Sequence, residues 1–187
     1  MKRVILVHRW DGSPKADWYP WIKKELEKND ITVEILKMPN PGEPSIEAWV
    51  PFLEKNVKNV DADTYLIGHS VGCQTILRYL ATLPADQKAG GVLCVAGWFS
   101  LQRLTTPEER DIAGPWLTEP FDFDSFKKRK IPLVALFSDD DPFVPLENKD
   151  LFEKKLGATT VVENHQGHFN DKKTPSVLEH VLRLLNL

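Results

Sequence analysis

The sequence predicts one α/β domain over residues 1–187, in which a parallel sheet is covered by helices on both faces. Six short runs of β-branched and aliphatic residues alternate with longer helical patterns along the chain. The runs are apolar at successive positions, as strands buried on both faces must be. A strand, helix, strand order with short connections requires right-handed crossovers, and therefore favours a parallel sheet.

The six predicted strands share this buried pattern and contain no proline. They are residues 4–7, 31–36, 64–67, 91–96, 133–137 and 159–162. The predicted helices between and after them are residues 16–28, 45–59, 71–83, 146–156 and 176–185. Pro51 lacks a backbone N–H, so we expect it to break or kink the second helix near its first turns.

One connection is much longer than the others. Residues 98–130 contain no strand pattern but are rich in Trp and Phe, a composition that argues against disorder. The string Thr106-Pro107-Glu108-Glu109 combines a cap residue, a proline at the first helical position and a glutamate three residues after the cap, and predicts a short helix. We interpret the segment as a small lid over a ligand site; the alternative is a surface excursion whose aromatic side chains pack on the sheet edge.

Composition argues against several classes of protein. The net charge is −3, and the one basic cluster, residues 127–130, is interpreted as a solvated loop, so nucleic acid is not an expected partner. Cys73 and Cys94 are interpreted as core residues in a protein of the reducing cytoplasm. No His, Cys and carboxylate cluster has metal-ligand spacing, and a single glycine follows the first strand, so neither a metal nor a nucleotide cofactor is expected.

Membrane attachment is not expected either. No apolar stretch approaches the roughly 18–20 residues that a membrane-spanning helix requires. The N-terminal apolar run has four residues, whereas the apolar region of a signal peptide has about 7–15. We therefore interpret this run as the first strand.

The string Gly68-His69-Ser70-Val71-Gly72 follows a buried-type strand and opens a predicted helix. This strand, turn and helix setting is the one that a Gly-x-Ser-x-Gly nucleophile turn requires. Glycines on both sides of the serine allow the strand and the helix to approach each other closely. The N–H of Val71, at the start of the helix, faces the region where a substrate oxyanion would form.

A serine nucleophile needs a histidine base and a carboxylate that orients this base, in the chain order Ser, Asp, His. Asp139, Asp140 and Asp141 follow the fifth predicted strand, and His165 and His168 follow the sixth. These residues should meet Ser70, because functional groups of open α/β sheets gather at the carboxyl ends of the strands. The residue pattern leaves open which aspartate and which histidine take part.

Together, the serine string, the Asp-Pro-Phe-Val-Pro run at residues 141–145 and the Gly-His-Phe run at residues 167–169 resemble the α/β-hydrolase superfamily. The short chain without a large cap is similar in particular to the small serine hydrolases related to retinoblastoma-binding protein 9 and the YdeN-type proteins. The resemblance implies a sheet of strand order 2-1-3-4-5-6. It assigns the acid to Asp141 and the base to His168. The first strand ends in His8-Arg9-Trp10, where many relatives have His-Gly, and this places the second oxyanion donor at the N–H of Trp10.

The expected activity is cofactor-independent hydrolysis of small esters, or of amides, by Ser70, His168 and Asp141. Trp98, Trp116 and Phe143, with Trp10, are candidates for the wall of the substrate pocket because they lie near strand ends. His8 and His69 are interpreted as structural residues. The alternative from another class is a protein-interaction module on a hydrolase fold with vestigial catalysis.

Overall fold

The computed structural model describes residues 1–84 and 86–187, and it contains a six-stranded parallel sheet with the order β2-β1-β3-β4-β5-β6. Each neighbouring pair of strands is parallel. The strands are β1 Arg3–Val7, β2 Thr32–Leu36, β3 Thr64–His69, β4 Gly91–Val95, β5 Leu133–Ser138 and β6 Thr159–Glu163. The predicted fold class and strand order are confirmed.

Helices cover both faces of the sheet. Two of them, α1 and α7, pack together on one face, whereas α2, α3 and α5 lie on the other. The helices are α1 Tyr19–Glu27, α2 Ile46–Asn56, α3 Val71–Thr82, α4 Pro107–Thr118, α5 Phe123–Lys128, α6 Glu147–Leu151 and α7 Pro175–Leu184. The two central strands β3 and β4 are buried along their whole length, because helices shield them from both sides.

The strand register places the carboxyl ends of the central strands side by side. Val7 at the end of β1 pairs with Gly68 of β3, and Gly68 pairs with Cys94 of β4. The strand β5 continues to Ser138, which pairs with Glu163 at the end of β6. All loops that follow these strands therefore leave from one edge of the sheet.

Three helices differ from the prediction. The helix expected from residue 16 begins at Tyr19, since Asp17 has a left-handed backbone (φ 46°). Pro51 does not break α2, because Pro51 faces solvent and the helix is held by its opposite face, which packs against α3. The helix expected at residues 146–156 is α-helical only in α6 and continues as a π-helical turn, Phe152–Leu156.

The long connection after β4 is largely helical. The capping box predicted at Thr106 and Glu109 is present, and it opens α4, which has 12 residues. The sequence did not predict α5, whose end includes the first two lysines of the basic cluster that was interpreted as a loop. The guanidinium of Arg129, from the same cluster, donates to the carbonyl oxygens of Ala81 and Pro84 near the end of α3.

Two further observations concern the whole chain. Within the described residues, no helix has both the length and the apolar character needed to cross a bilayer. Cys73 and Cys94 are free and buried, and burial raises the pKa of the Cys73 thiol well above its ordinary value.

Candidate active site

A cavity of about 470 Å³ opens at the edge of the sheet where the central strands end. The loop after β1 and the turn after β3 contribute to its lining, together with the long segment after β4 and the loops after β5 and β6. Its lining includes six of the predicted site residues, Trp10, Ser70, Val71, Trp98, Phe143 and His168.

Ser70 lies on a sharp turn between β3 and α3. Its backbone has φ 55° and ψ −120°, a region that costs a non-glycine residue on the order of 1–3 kcal/mol. The turn is held by two backbone hydrogen bonds, from Ser70 N to Val95 O and from Cys73 N to Ser70 O, both 2.9 Å long. This conformation presents the Ser70 side chain to the cavity, so the strain serves exposure of the hydroxyl.

The two glycines of the turn are required by close backbone contacts. A Cβ on Gly68 would lie 2.6 Å from the backbone nitrogen of Cys73. A Cβ on Gly72 would overlap the carbonyl oxygen of Val7 in the neighbouring strand. Side chains at either position would push α3 away from the sheet and shift Ser70.

His168 and Asp141 form a hydrogen bond beside Ser70. The Nδ1 atom of His168 lies 2.8 Å from Oδ2 of Asp141, whose side chain is 1% exposed. The other oxygen of Asp141 accepts from the backbone N–H groups of Phe143 and Val144 at 2.8 and 3.1 Å. Three donors thus fix the carboxylate, and the carboxylate in turn orients the imidazole ring.

The two neighbouring aspartates contact the loop rather than the ring of His168. Asp139 accepts from His165 N at 2.8 Å, and Asp140 accepts from Ser138 Oγ and Gly167 N at 2.7 Å each. These backbone hydrogen bonds shape the loop that carries His168. Of the three consecutive carboxylates, Asp141 is the one that meets the imidazole.

The hydroxyl of Ser70 accepts a hydrogen bond from the indole of Trp98, with 3.2 Å between Nε1 and Oγ. Within residues 1–84 and 86–187, no hydrogen bond joins Ser70 Oγ to His168, although both residues line the cavity. Catalytic hydrogen bonds in sites without substrate are often long and tighten when substrate binds.

Val71 and Trp10, the two predicted oxyanion donors, both line the cavity. Val71 is the first residue of α3, where N–H groups have no partner inside the helix. Trp10 lines the same cavity from the loop after β1 and is anchored by its indole, which donates to Gly42 O at 2.8 Å. The cavity is therefore lined by the first residue of α3 and by the loop after β1.

The aromatic candidates separate into two groups. Trp10, Trp98 and Phe143 line the cavity, and Phe143 packs edge-on against the His168 ring at 5.3 Å. Trp116 does not lie among the lining residues; it is 2% exposed in the core, and its indole donates to Pro44 O at 2.9 Å. We therefore correct the assignment of Trp116, because it lies about one turn of α4 beyond Ile112, the last residue of that helix in the cavity lining.

The long segment contributes apolar residues that the sequence did not single out. Leu101, Leu104 and Ile112 line the cavity, while Arg103 and Glu108 lie at its charged side. The segment thus forms one wall of the cavity. Aromatic richness was the available signal in this segment, and it identified Trp98 but none of these three apolar residues. The phenylalanines of the segment pack on one another and on Phe152.

His69 also proves to be closer to the site than its interpretation as a packing residue suggested. Its Nε2 lies 2.8 Å from the carbonyl oxygen of His168, and its Nδ1 lies 2.6 Å from the hydroxyl of Tyr19. Burial, and secondarily the nearby His168, lowers the pKa of His69 well below its ordinary value. No sequence signal identified Tyr19.

The described residues bring together one group that could share a cation, Asp139, Asp140 and His165. All three are exposed. Their carboxylates already hold backbone N–H groups of the loop. The contacts therefore show loop stabilisation.

Comparison with known proteins identifies the family of the chain. The family model described as serine hydrolase matches residues 4–187. The YdeN protein of Bacillus subtilis (strain 168) is 32% identical over 170 residues, which are 90% of this chain and 86% of that protein. The serine hydrolase RBBP9 of Rattus norvegicus is 25% identical over 186 residues, 98% of this chain and 95% of that protein.

Solved structures share the fold. The crystal structure of the ydeN gene product matches with a TM-score of 0.89 and 27% identity, and the match covers 100% of both chains. Est1E of Butyrivibrio proteoclasticus, solved with ferulic acid bound, matches with a TM-score of 0.77 and 16% identity over 100% of this chain and 88% of that chain. Because the family model matches nearly its whole length, the chain belongs to the serine hydrolase family.

Proposed function

We propose that this serine hydrolase cleaves small carboxylic esters, with small amides as the alternative substrate class, through an acyl-enzyme on Ser70. The observation that carries the proposal is the buried hydrogen bond of 2.8 Å between His168 and Asp141, at the cavity into which the strained turn projects Ser70. A nucleophile, a base and an orienting acid at one cavity are the groups that acyl transfer needs.

In the proposed reaction, Ser70 Oγ attacks the ester carbonyl and His168 Nε2 takes the hydroxyl proton. Asp141 keeps the proton of the imidazole on Nδ1, so that Nε2 is free to accept. His168 then gives its proton to the leaving alcohol as the bond between the carbonyl carbon and the alcohol oxygen breaks. Water, activated by the same histidine, releases the acid and restores Ser70.

The backbone N–H groups of Val71 and Trp10 are proposed to stabilise the tetrahedral oxyanion. Donors that are fixed before the reaction cost no reorganisation when charge develops. The Val71 N–H adds the positive end of the α3 dipole. The anchoring of the Trp10 indole to Gly42 supports a fixed position for the second donor.

The cavity supports a small substrate with an apolar acyl group. Its volume of about 470 Å³ lies at the small end of the roughly 300–1,000 Å³ that is usual for ligand sites. Leu101, Leu104 and Ile112 offer an apolar wall to the acyl chain. We propose that the segment of residues 98–130 serves as a small lid, because it supplies this wall.

Reaction with a fluorophosphonate probe tests the proposal directly. Ser70 Oγ would bond to phosphorus as fluoride leaves, and intact mass spectrometry would show one added phosphonyl group. The Ser70→Ala variant should remain unlabelled. A matched control is Ser100→Ala, which removes a hydroxyl near the cavity that is bonded to Glu147 and should be labelled like the wild type.

Turnover of p-nitrophenyl esters of increasing acyl length completes the test. We expect hydrolysis of short-chain esters that Ser70→Ala abolishes. A wild-type protein that is neither labelled nor active on any ester of the series would contradict the proposal and favour the interaction-module alternative.

A further inference from the structure

A buried chain of hydrogen bonds connects three loops that carry groups of the candidate site. The hydroxyl of Tyr19 lies 2.6 Å from Nδ1 of His69, and Nε2 of His69 lies 2.8 Å from the carbonyl oxygen of His168. The backbone N–H of Arg9 donates to the same Tyr19 hydroxyl at 3.3 Å. Both linking side chains, Tyr19 and His69, are fully buried.

The chemistry of the partners determines the direction of each hydrogen bond. The carbonyl oxygen of His168 can only accept, so Nε2 of His69 carries a proton. Burial keeps the His69 ring neutral by lowering its pKa, so Nδ1 accepts a hydrogen bond that the Tyr19 hydroxyl donates. The Tyr19 oxygen in turn accepts a hydrogen bond from the backbone N–H of Arg9. Each polar group in the chain has one partner of the right kind.

The ends of this chain lie next to the groups that the proposed reaction uses. Arg9 directly precedes Trp10, whose N–H is the proposed oxyanion donor. His69 directly precedes Ser70, and the His168 carbonyl belongs to the residue that is the proposed base. A shift of any link therefore moves one functional group relative to the other two.

Neighbouring residues of Tyr19 strengthen the same connection. The indole of Trp18 donates to Phe169 O at 2.9 Å, one residue after His168. The carboxylate of Asp17 binds the Arg9 guanidinium, with 2.8 Å between Oδ2 and Nε. The start of α1 thus contacts both the loop after β1 and the loop after β6.

We infer that Tyr19 and His69 are positioning residues that hold three parts of the site in one fixed arrangement. These parts are the loop that carries Trp10, the turn that carries Ser70 and the loop that carries His168. The inference rests on the proposed function. Misplacement by about 1 Å is enough to reduce a rate about 100-fold, so a lost link should lower the chemical step more than substrate binding.

The decisive variant is Tyr19→Phe, which keeps the ring and removes only the hydroxyl. It leaves Arg9 N–H without its acceptor and His69 Nδ1 without its donor. The matched control is Tyr79→Phe, since Tyr79 is equally buried and its hydroxyl donates to Val57 O at 2.7 Å, outside the cavity lining.

We expect Tyr19→Phe to lower kcat for a p-nitrophenyl ester by about 10- to 100-fold with little change in KM, and to slow fluorophosphonate labelling in parallel. Tyr79→Phe should keep the wild-type kcat, even if its melting temperature falls by as much as that of Tyr19→Phe. Measurements are made well below both melting temperatures. Equal kcat values for the two variants would overturn the inference, because Tyr19 would then be structural only.

A second pair of variants, at His69, tests the inference if the Tyr19→Phe protein fails to fold. The Gln side chain in His69→Gln can still donate to the His168 carbonyl, whereas His69→Leu cannot. The inference expects a clearly higher kcat for the Gln variant, and equal kcat values would overturn it. If the wild type itself shows neither labelling nor ester turnover, the proposed function fails, and the inference falls with it.

Discussion

Replacing Asp141 by asparagine tests the proposed acid with almost no change in shape. One carboxylate oxygen of Asp141 accepts from the N–H groups of Phe143 and Val144, and the other accepts from His168 Nδ1. An asparagine can supply only one acceptor oxygen. If its NH₂ group faced the two backbone donors, both of these N–H groups would lose their partner.

The backbone donors therefore decide how the new amide is oriented. The buried Val144 N–H alone would cost about 1–3 kcal/mol if unsatisfied, and the part-buried Phe143 N–H adds to this cost, so the amide is oriented with its oxygen towards the backbone. The NH₂ group then faces His168 Nδ1, which must become the unprotonated nitrogen. The ring proton moves to Nε2, where it blocks acceptance of the Ser70 proton.

We expect Asp141→Asn to fold and to lose about 10⁴-fold in kcat, as the equivalent tautomer change does in a serine protease. This loss corresponds to about 5.4 kcal/mol, at 1.36 kcal/mol for each factor of ten. The assay is turnover of a p-nitrophenyl ester at saturating concentration and at about pH 8, above the ordinary histidine pKa of about 6.5, so that the loss reports the tautomer.

The matched control is Asp139→Asn. The amide oxygen of this variant can still accept from His165 N, the contact that Asp139 makes, so kcat should stay within about threefold of the wild type. The reasoning is refuted if Asp141→Asn keeps more than about a tenth of the wild-type kcat, or if Asp139→Asn is equally impaired.

Three other outcomes follow from packing and burial. Gly72→Ala should destabilise the fold by at least about 1–3 kcal/mol, because its Cβ would overlap a backbone carbonyl of β1. The control is Gly42→Ala, whose Cβ would meet only a side-chain oxygen at 3.3 Å; its melting temperature should equal that of the wild type. Trp116→Ala should lose about 3–5 kcal/mol of unfolding free energy without changing the preference for acyl length. Ile112→Trp, in the cavity wall, should instead shift kcat/KM towards shorter esters. An unchanged preference in Ile112→Trp would contradict the assignment of this wall. Burial lowers the pKa of His69, so as pH falls below about 6.5 the unfolded state binds a proton that the folded state excludes, and the protein loses stability. His69→Gln should reduce this loss by up to about 1.4 kcal/mol per pH unit. Denaturant titration between about pH 7 and pH 5 measures the difference.

Local patterns in the sequence were sufficient for the fold class, for the six strands and for most of the helices. Each strand is a short apolar run, and each crossover is a helix whose apolar residues recur with helical spacing. The capping box at Thr106 and the Gly-x-Ser-x-Gly turn are also short-range signals, since all their partners lie within a few residues. Such features can be recognised without knowing what they pack against.

The exceptions to local pattern have tertiary causes. Pro51 stays inside α2 because the opposite face of that helix is buried against α3. Trp116 points into the core because α4 lies with that face inward, and the periodicity of a helix on a long connection does not specify this direction. These outcomes depend on which distant part of the chain each helix packs against, and the residues near Pro51 or Trp116 do not specify it.

The candidate site shows the same division. The serine turn could be located from five residues, but the three consecutive aspartates could be distinguished only through the resemblance of residues 141–145 to a known family. Only the fold shows that Asp141 meets His168, 27 residues further along the chain. The link between Tyr19 and His69 spans 50 residues, and the link from His69 to the His168 carbonyl spans 99. Hydrogen bonds of this kind are decided by tertiary structure, because they depend on where separate strands end at one edge of the sheet.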